Sequence, residues 1–380
     1  MQNGLSVLSW PLLAAGGVAF LVAVMLVMTQ HWHGHLSMDS IYGVQKFHTE
    51  PTPRVGGIAI VSGVLAGLAL APPGPQYLLG PLLLAGTPAF AFGLVEDLTK
   101  GVSVRTRLLA TMACGVLGWF ITGQSITDAN VPGLDWLLGF TVLSVAFTAF
   151  AVGGIANAIN IIDGFNGLSA GTVIVILGGF CIMAAGQGDA DLARVSLILA
   201  AAMLGFGLVN WPLGKIFLGD GGAYFIGFAI AWMAVLLLAR HPGVSAWAPM
   251  LACGYPILEV FFSIARRRRR GRSPGDADRM HLHSLVKRRV VRALLPHASR
   301  LVRNSVTGAI MWVAALLPAA IAVSWSTRTP VLVLGFAACA LLYSVVYTRL
   351  TQFRWCVRPA TLQIRRPASI TLRHSAAEKK

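Results

Sequence analysis

The chain has 380 residues, 56% of them hydrophobic and 12% charged, with 41 glycines and a mean hydropathy of +0.71. A soluble globule carries roughly a quarter of charged residues, so composition excludes that class and makes lipid the natural solvent. The net charge of +16 would point to nucleic acid in a soluble protein, but the basic residues are placed otherwise, and no nucleic-acid partner is expected.

The first apolar stretch, Leu5 to Met28, has no basic residue before it and no convincing small-residue cleavage site after it, so it reads as a retained span. Further apolar runs lie near 56–73, 78–95, 107–123, 135–153, 169–186, 195–211, 221–239, 246–265, 304–324 and 329–347. With about 20 residues needed to cross about 30 Å of hydrocarbon, the fold class is an all-α polytopic membrane protein of about 11 transmembrane helices. Residues 1–347 form the transmembrane domain with a large basic loop at 266–303, and 348–380 a basic tail. An N-terminus outside puts 27 of the 30 Lys and Arg on the cytoplasmic side, leaving Arg194, Arg240 and Arg328 on the other. The five cysteines stand singly, which suggests packing residues and neither disulfides nor a thiolate metal site.

Taken in chain order, the polar motifs begin with His31-Trp32-His33-Gly34-His35. Its alternation could bind a transition metal, but interfacial His and Trp commonly anchor helix ends, which is the plainer reading. At the end of the third span, Glu96-Asp97 is followed by Lys100, Arg105 and Arg107. Adjacent carboxylates repel unless a cation relieves them, so the cluster reads either as a charged stop signal or as a patch managing phosphate and metal charge together.

Asn157, Asn160, Asp163 and Asn166 recur at spacings of three, which on a helix would place them on one face. Amide oxygens and carboxylates suit a hard cation such as Mg²⁺, and amides also suit a nucleobase edge. In Lys215 to Tyr224, Asp220 stands before two glycines at a span start, as a helix cap or as a holder of phosphate-bridging metal. In the basic loop, Arg266 to Arg270 reads as a topology anchor. Arg279, His281 and His283 alternate with apolar residues, which in an extended segment puts three donors on one side, fit for a diphosphate or sugar phosphate.

Together these motifs, in this order, resemble the polyprenyl-phosphate N-acetylhexosamine-1-phosphate transferases, over about His48 to His283. His48 to Gly57 is similar to the segment that precedes the family's second span. Glu96-Asp97 stands where the family has an Asp-Asp pair, which puts in question any role needing close placement at position 96. The resemblance implies that Asp97 manages a lipid phosphate with Arg105 and Arg107 beside it, and that Asn160 and Asp220 ligate Mg²⁺ (or Mn²⁺). It implies that Asn166 and Asn157 contact the uridine, and that Arg279, His281 and His283 bind the diphosphate or sugar. Asp163 matches an acid common in bacterial members, so Asp97, Glu96, Asp163 and Asp220 are the candidate catalytic acids. A leucine separates the two histidines where the pentapeptide-transferring branch has three in a row, which favours a donor without a peptide.

The activity so implied is transfer of a sugar-1-phosphate from a UDP-N-acetylhexosamine to undecaprenyl phosphate at the cytoplasmic face of a bacterial inner membrane, with a homodimer as an open assembly. A transporter or lipid flippase is the alternative. It would call for acids near mid-membrane or repeated halves; only Glu259 lies within an expected span, and the polar motifs gather on one side.

Overall fold

The computed structural model describes residues 10–39, 51–271 and 280–352. It opens with α1 (Trp10–Met28) and a short α2 (Gln30–Ser37). A two-residue β1 (Met38–Asp39) then pairs antiparallel with β2 (Thr52–Pro53), Met38 opposite Pro53. The remaining elements are helices: α3 (Gly56–Leu70), α4 (Pro73–Thr99), α5 (Val104–Thr122), α6 (Leu134–Leu138), α7 (Thr141–Ile162), α8 (Leu168–Gly186), α9 (Ala190–Asn210) and α10 (Gly219–Arg240). After them come α11 (Trp247–Ala252), α12 (Gly254–Arg269), α13 (Leu282–Val286), a π-helical turn at Lys287–Val291, α14 (Arg292–Leu294), α15 (Arg300–Ser324) and α16 (Thr329–Thr351).

Among the described residues, nine helices are long and apolar enough to cross a membrane: α1, α4, α5, α7, α8, α9, α10, α15 and α16. The other two expected spans are also helical, in altered form. The second, α3, is apolar but has only 15 residues. The ninth is broken at Cys253 into α11 and α12, with Pro256 just inside α12, where its missing N–H interrupts no existing ladder. The protein is thus an all-α polytopic membrane protein.

The bundle is built around α10, the most enclosed of the nine, which packs against α3, α4, α5, α7 and α8. Apolar side chains gain little by leaving lipid for each other, so close backbone approach does the packing work. A methyl on Gly93 of α4 would lie 2.6 Å from the Gly221 backbone, and one on Gly57 of α3 would lie 2.4 Å from Gly222 N. Three helices therefore meet backbone to backbone at the start of α10.

Two expectations about local shape change. The series from Asn157 to Asn166 does not share a helix face, because α7 ends at Ile162 and the chain turns through Asp163 and Gly164 to a left-handed Gly167 before α8. The segment of His31, His33 and His35 is helical, so His33 points away from the other two; its ring bonds Ser37 Oγ and Leu26 O.

Candidate active site

The centre of the site is the first turn of α10. Leu218 stands at its N-cap position with no side-chain oxygen to offer, and a helix start leaves several N–H groups without partners. Asp97, in the last turn of α4 and 1% exposed, supplies the cap from another helix: its two oxygens accept the N–H groups of Asp220 (2.8 Å) and Gly221 (2.9 Å). Gly219 makes the approach possible. Its φ is +74°, and a methyl there would meet Arg54 O at 2.2 Å. Asp220 is therefore not the cap that its position suggested; it stands inside the first turn with its side chain free for other partners.

Those partners come from three further segments. Asp220 Oδ1 accepts from Arg54 Nη2 at 3.0 Å and from Asn160 Nδ2, near the end of α7, at 3.1 Å. Asp220 Oδ2 accepts from Arg107 Nη1, in the first turn of α5. Arg54 is delivered by a strand-like exchange in which Phe217 N bonds Pro53 O, Gly56 N bonds Phe217 O and Gly57 N bonds Leu218 O. Its guanidinium also lies 3.6 Å from Asp97 Oδ1. Arg107 sits 6.0 Å over the Tyr224 ring and 3.8 Å from Glu96 Oε1, while Glu96 Oε2 accepts Val102 N at 2.8 Å. Acids and guanidinium groups so interleaved at a buried bundle end can exchange their mutual pairing for anionic phosphate and a cation.

The loop after α7 joins this centre to the rest. Asp163 accepts from Ser169 Oγ; burial pushes its carboxyl up to about 6 against the pull of that hydroxyl and of Arg54. Asn166, buried, donates to Ser305 Oγ at 3.3 Å. It faces a cavity of about 120 Å³ whose lining includes Thr52, Lys215, Phe217 and Asn304. Phe165 meets the edge of His283 (5.4 Å) and the ammonium of Lys287 (4.8 Å).

His281 and His283 are both buried and stack nearly parallel, 5.2 Å apart. His283 belongs to α13, so the trio is not an extended strand, and Arg279 lies outside the described residues. Burial drives the His283 imidazole down to about 3, so it is neutral, and Lys287 is lowered to about 8 by burial and by Arg300 and Arg303.

The structure thus brings Asp97, Glu96, Asp220, Asn160 and Arg107 into one cluster, with Asp163, Asn166, His281 and His283 in the elements adjoining it. Two candidates stand apart from it. Asn157 donates to Gly153 O of its own helix, and Arg105 is exposed. Sequence reading missed Arg54 as a partner of Asp220 and gave no role to Glu259, although an acid in an apolar run is costly enough to have marked it.

A buried cluster of acids, amides and guanidinium groups thus lies at one end of the helical bundle and is the candidate site of this membrane protein. Residues 79–238 match the model of glycosyl transferase family 4, in keeping with the resemblance that the motifs carry. It is 29% identical over 240 residues to the probable undecaprenyl-phosphate N-acetylglucosaminyl 1-phosphate transferase of Bacillus subtilis (strain 168), covering 63% of this chain and 66% of the relative. It is 30% identical over 268 residues to the decaprenyl-phosphate N-acetylglucosaminephosphotransferase of Mycolicibacterium smegmatis, covering 62% and 65%. Phospho-N-acetylmuramoyl-pentapeptide-transferase of Geobacillus thermodenitrificans is 30% identical over 197 residues, 49% and 61% of the two chains. The chain spans a little under two thirds of the length of these relatives.

Proposed function

We propose that this protein transfers an N-acetylhexosamine-1-phosphate group from a UDP-sugar to undecaprenyl phosphate and releases UMP. One observation carries the reading: Asp220 and Asn160, from helices far apart in sequence, lie 3.1 Å apart with two guanidinium groups on the same carboxylate. An oxygen of the lipid phosphate attacks the β-phosphorus of the donor, the bond from that phosphorus to the bridging oxygen breaks, and the electron pair leaves on UMP. Two anions must approach, so the main task is to hold and neutralise them. Arg54 and Arg107 suit phosphate oxygens by their planar donor forks. The cavity beside Asn166 suits the donor and acceptor edge of the nucleobase.

A divalent cation fits this donor set. Mg²⁺ is usually held by one or two carboxylates together with substrate phosphates, and Asp220 with the Asn160 amide oxygen would supply the protein's share. Bound there, Mg²⁺ (or Mn²⁺) would neutralise the diphosphate. Asp97 has both oxygens committed to the backbone of α10, which favours direct transfer over an aspartyl-phosphate on that residue. The arrangement of Lys and Arg supports a cytoplasmic site in a bacterial inner membrane with the N-terminus outside.

The test is to incubate the purified protein with undecaprenyl phosphate, Mg²⁺ and a panel of labelled UDP-sugars, and to measure UMP and labelled lipid together. A UDP-N-acetylhexosamine should give both in equal amounts. Absence of labelled lipid with every sugar, under conditions where a known transferase works, would remove the proposal in favour of transport.

A further inference from the structure

Glu259 is an acid of α12 that no part of the proposed chemistry uses, and it is fully buried. Burying a carboxylate is costly unless donors surround it. Here they do. Glu259 Oε1 accepts from His281 Nδ1 at 2.9 Å, both oxygens lie within 3.3 Å of Leu282 N, and Oε2 accepts from the Tyr343 hydroxyl at 3.0 Å. One helical turn earlier, on the same face of α12, the Tyr255 hydroxyl lies 3.2 Å from His283 Nδ1.

Both imidazoles are therefore tethered to α12 through Nδ1, His281 by a carboxylate that accepts from it and His283 by a hydroxyl. Each uses Nδ1 toward α12, and their rings are stacked within 15° of parallel, so each turns Nε2 away from that helix. For His283 the direction is fixed by a neighbour: a methyl built on Gly164 would lie 3.2 Å from His283 Nε2, beside Asp163. A carboxylate acceptor at Nδ1 determines which ring nitrogen carries the proton, and the opposite nitrogen becomes the functional one.

We propose that Glu259 and Tyr255 are positioning residues that act through His281 and His283, holding both rings by Nδ1 so that each Nε2 faces away from α12 and is open to the sugar-nucleotide donor. This rests on the transferase reading, and it adds to it the device by which α12, outside the matched family segment, orients the basic loop. Glu259 needs no contact with substrate for this role.

The experiment has two arms. In the first, protein labelled with [¹⁵N]histidine is compared with the His281→Ala variant to assign the His281 ring signals. Nδ1 should carry a proton, and a bare Nδ1 would overturn the proposal; this arm needs no turnover, so it is independent of the transferase reading. In the second, UMP release from UDP-N-acetylglucosamine and undecaprenyl phosphate is measured for Glu259→Gln, His281→Ala and the double variant. Glu259→Gln should lower kcat/KM about 10- to 100-fold, and should add nothing further in the His281→Ala background. Unchanged activity, or losses that multiply, would overturn it. Should Glu259→Gln fail to insert, Tyr255→Phe paired with His283→Ala gives the same cycle with the same two readings.

Discussion

Both oxygens of Asp97 accept backbone N–H groups of α10, whereas both oxygens of Asp220 accept side-chain donors. Their conservative replacements should therefore fail in different ways. Asp220→Asn keeps the shape but removes the charge that two guanidinium groups share and that the proposed cation would need, so UMP release should fall about 10²- to 10³-fold while the thermal midpoint in detergent stays close to wild type. Asp97→Asn leaves one good acceptor for two N–H groups and takes a negative charge from a helix N-terminus, which costs about 1–2 kcal/mol of stability as well as activity. Thermal unfolding and turnover measured on both variants separate these outcomes; an Asp97→Asn protein as stable as wild type would remove the capping role. The motif around Asp220 made it a candidate in the sequence, and Asn160 was paired with it through the family resemblance. Arg54 was not assigned to them, because the contact joins residues 166 apart and nothing local records it.

At the scale of elements, the glycines where α3, α4 and α10 cross hold the site in register. Gly93→Ala would place a methyl 2.6 Å from the Gly221 backbone. Backbone cannot step aside as a side chain can, so α10 would have to shift away from Asp97, at a cost of about 1–3 kcal/mol. Gly178 of α8 has nothing within 4 Å of the same added methyl. Gly178→Ala should insert and unfold like wild type, and Gly93→Ala should unfold at lower temperature with reduced UMP release; equal behaviour of the two would show that the crossing is not tight. The long helices were legible because each carries its own apolar record. The break between α11 and α12 was not, since the apolar run continues across it. The end of α7 was not either: spacing alone continued the helix through Asp163, and what stops it is a turn completed by Gly167, whose φ is +75°.

Across the whole molecule, the two ends of the bundle carry acids whose folded environments act in opposite directions. At the end remote from the site, Asp189 caps α9 through Leu192 N and also takes Arg240 and His241 from the far end of α10. Burial alone would raise this carboxyl, but these partners bring it down from 3.8 to about 2. A depressed acid stabilises the fold above its unfolded pKa, and that contribution is lost as pH falls from about 4 towards 2. At the site end, Asp163 is raised from 3.8 to about 6, chiefly by burial. Its ionised form is disfavoured by the fold, so it costs stability above pH 6 and the cost is relieved as pH falls from 6 towards 4. A group kept ionised at a stability cost is the pattern expected where function has set the residue. Thermal midpoints recorded against pH in detergent should therefore change in opposite senses. Asp189→Asn should lower the midpoint at pH 7 and flatten its fall below pH 4. Asp163→Asn should raise the midpoint at pH 7.5, leave it unchanged near pH 4, and reduce UMP release. If Asp163→Asn instead destabilised the protein at pH 7.5, its carboxylate would be a structural partner of Ser169 and the opposition between the two ends would be lost.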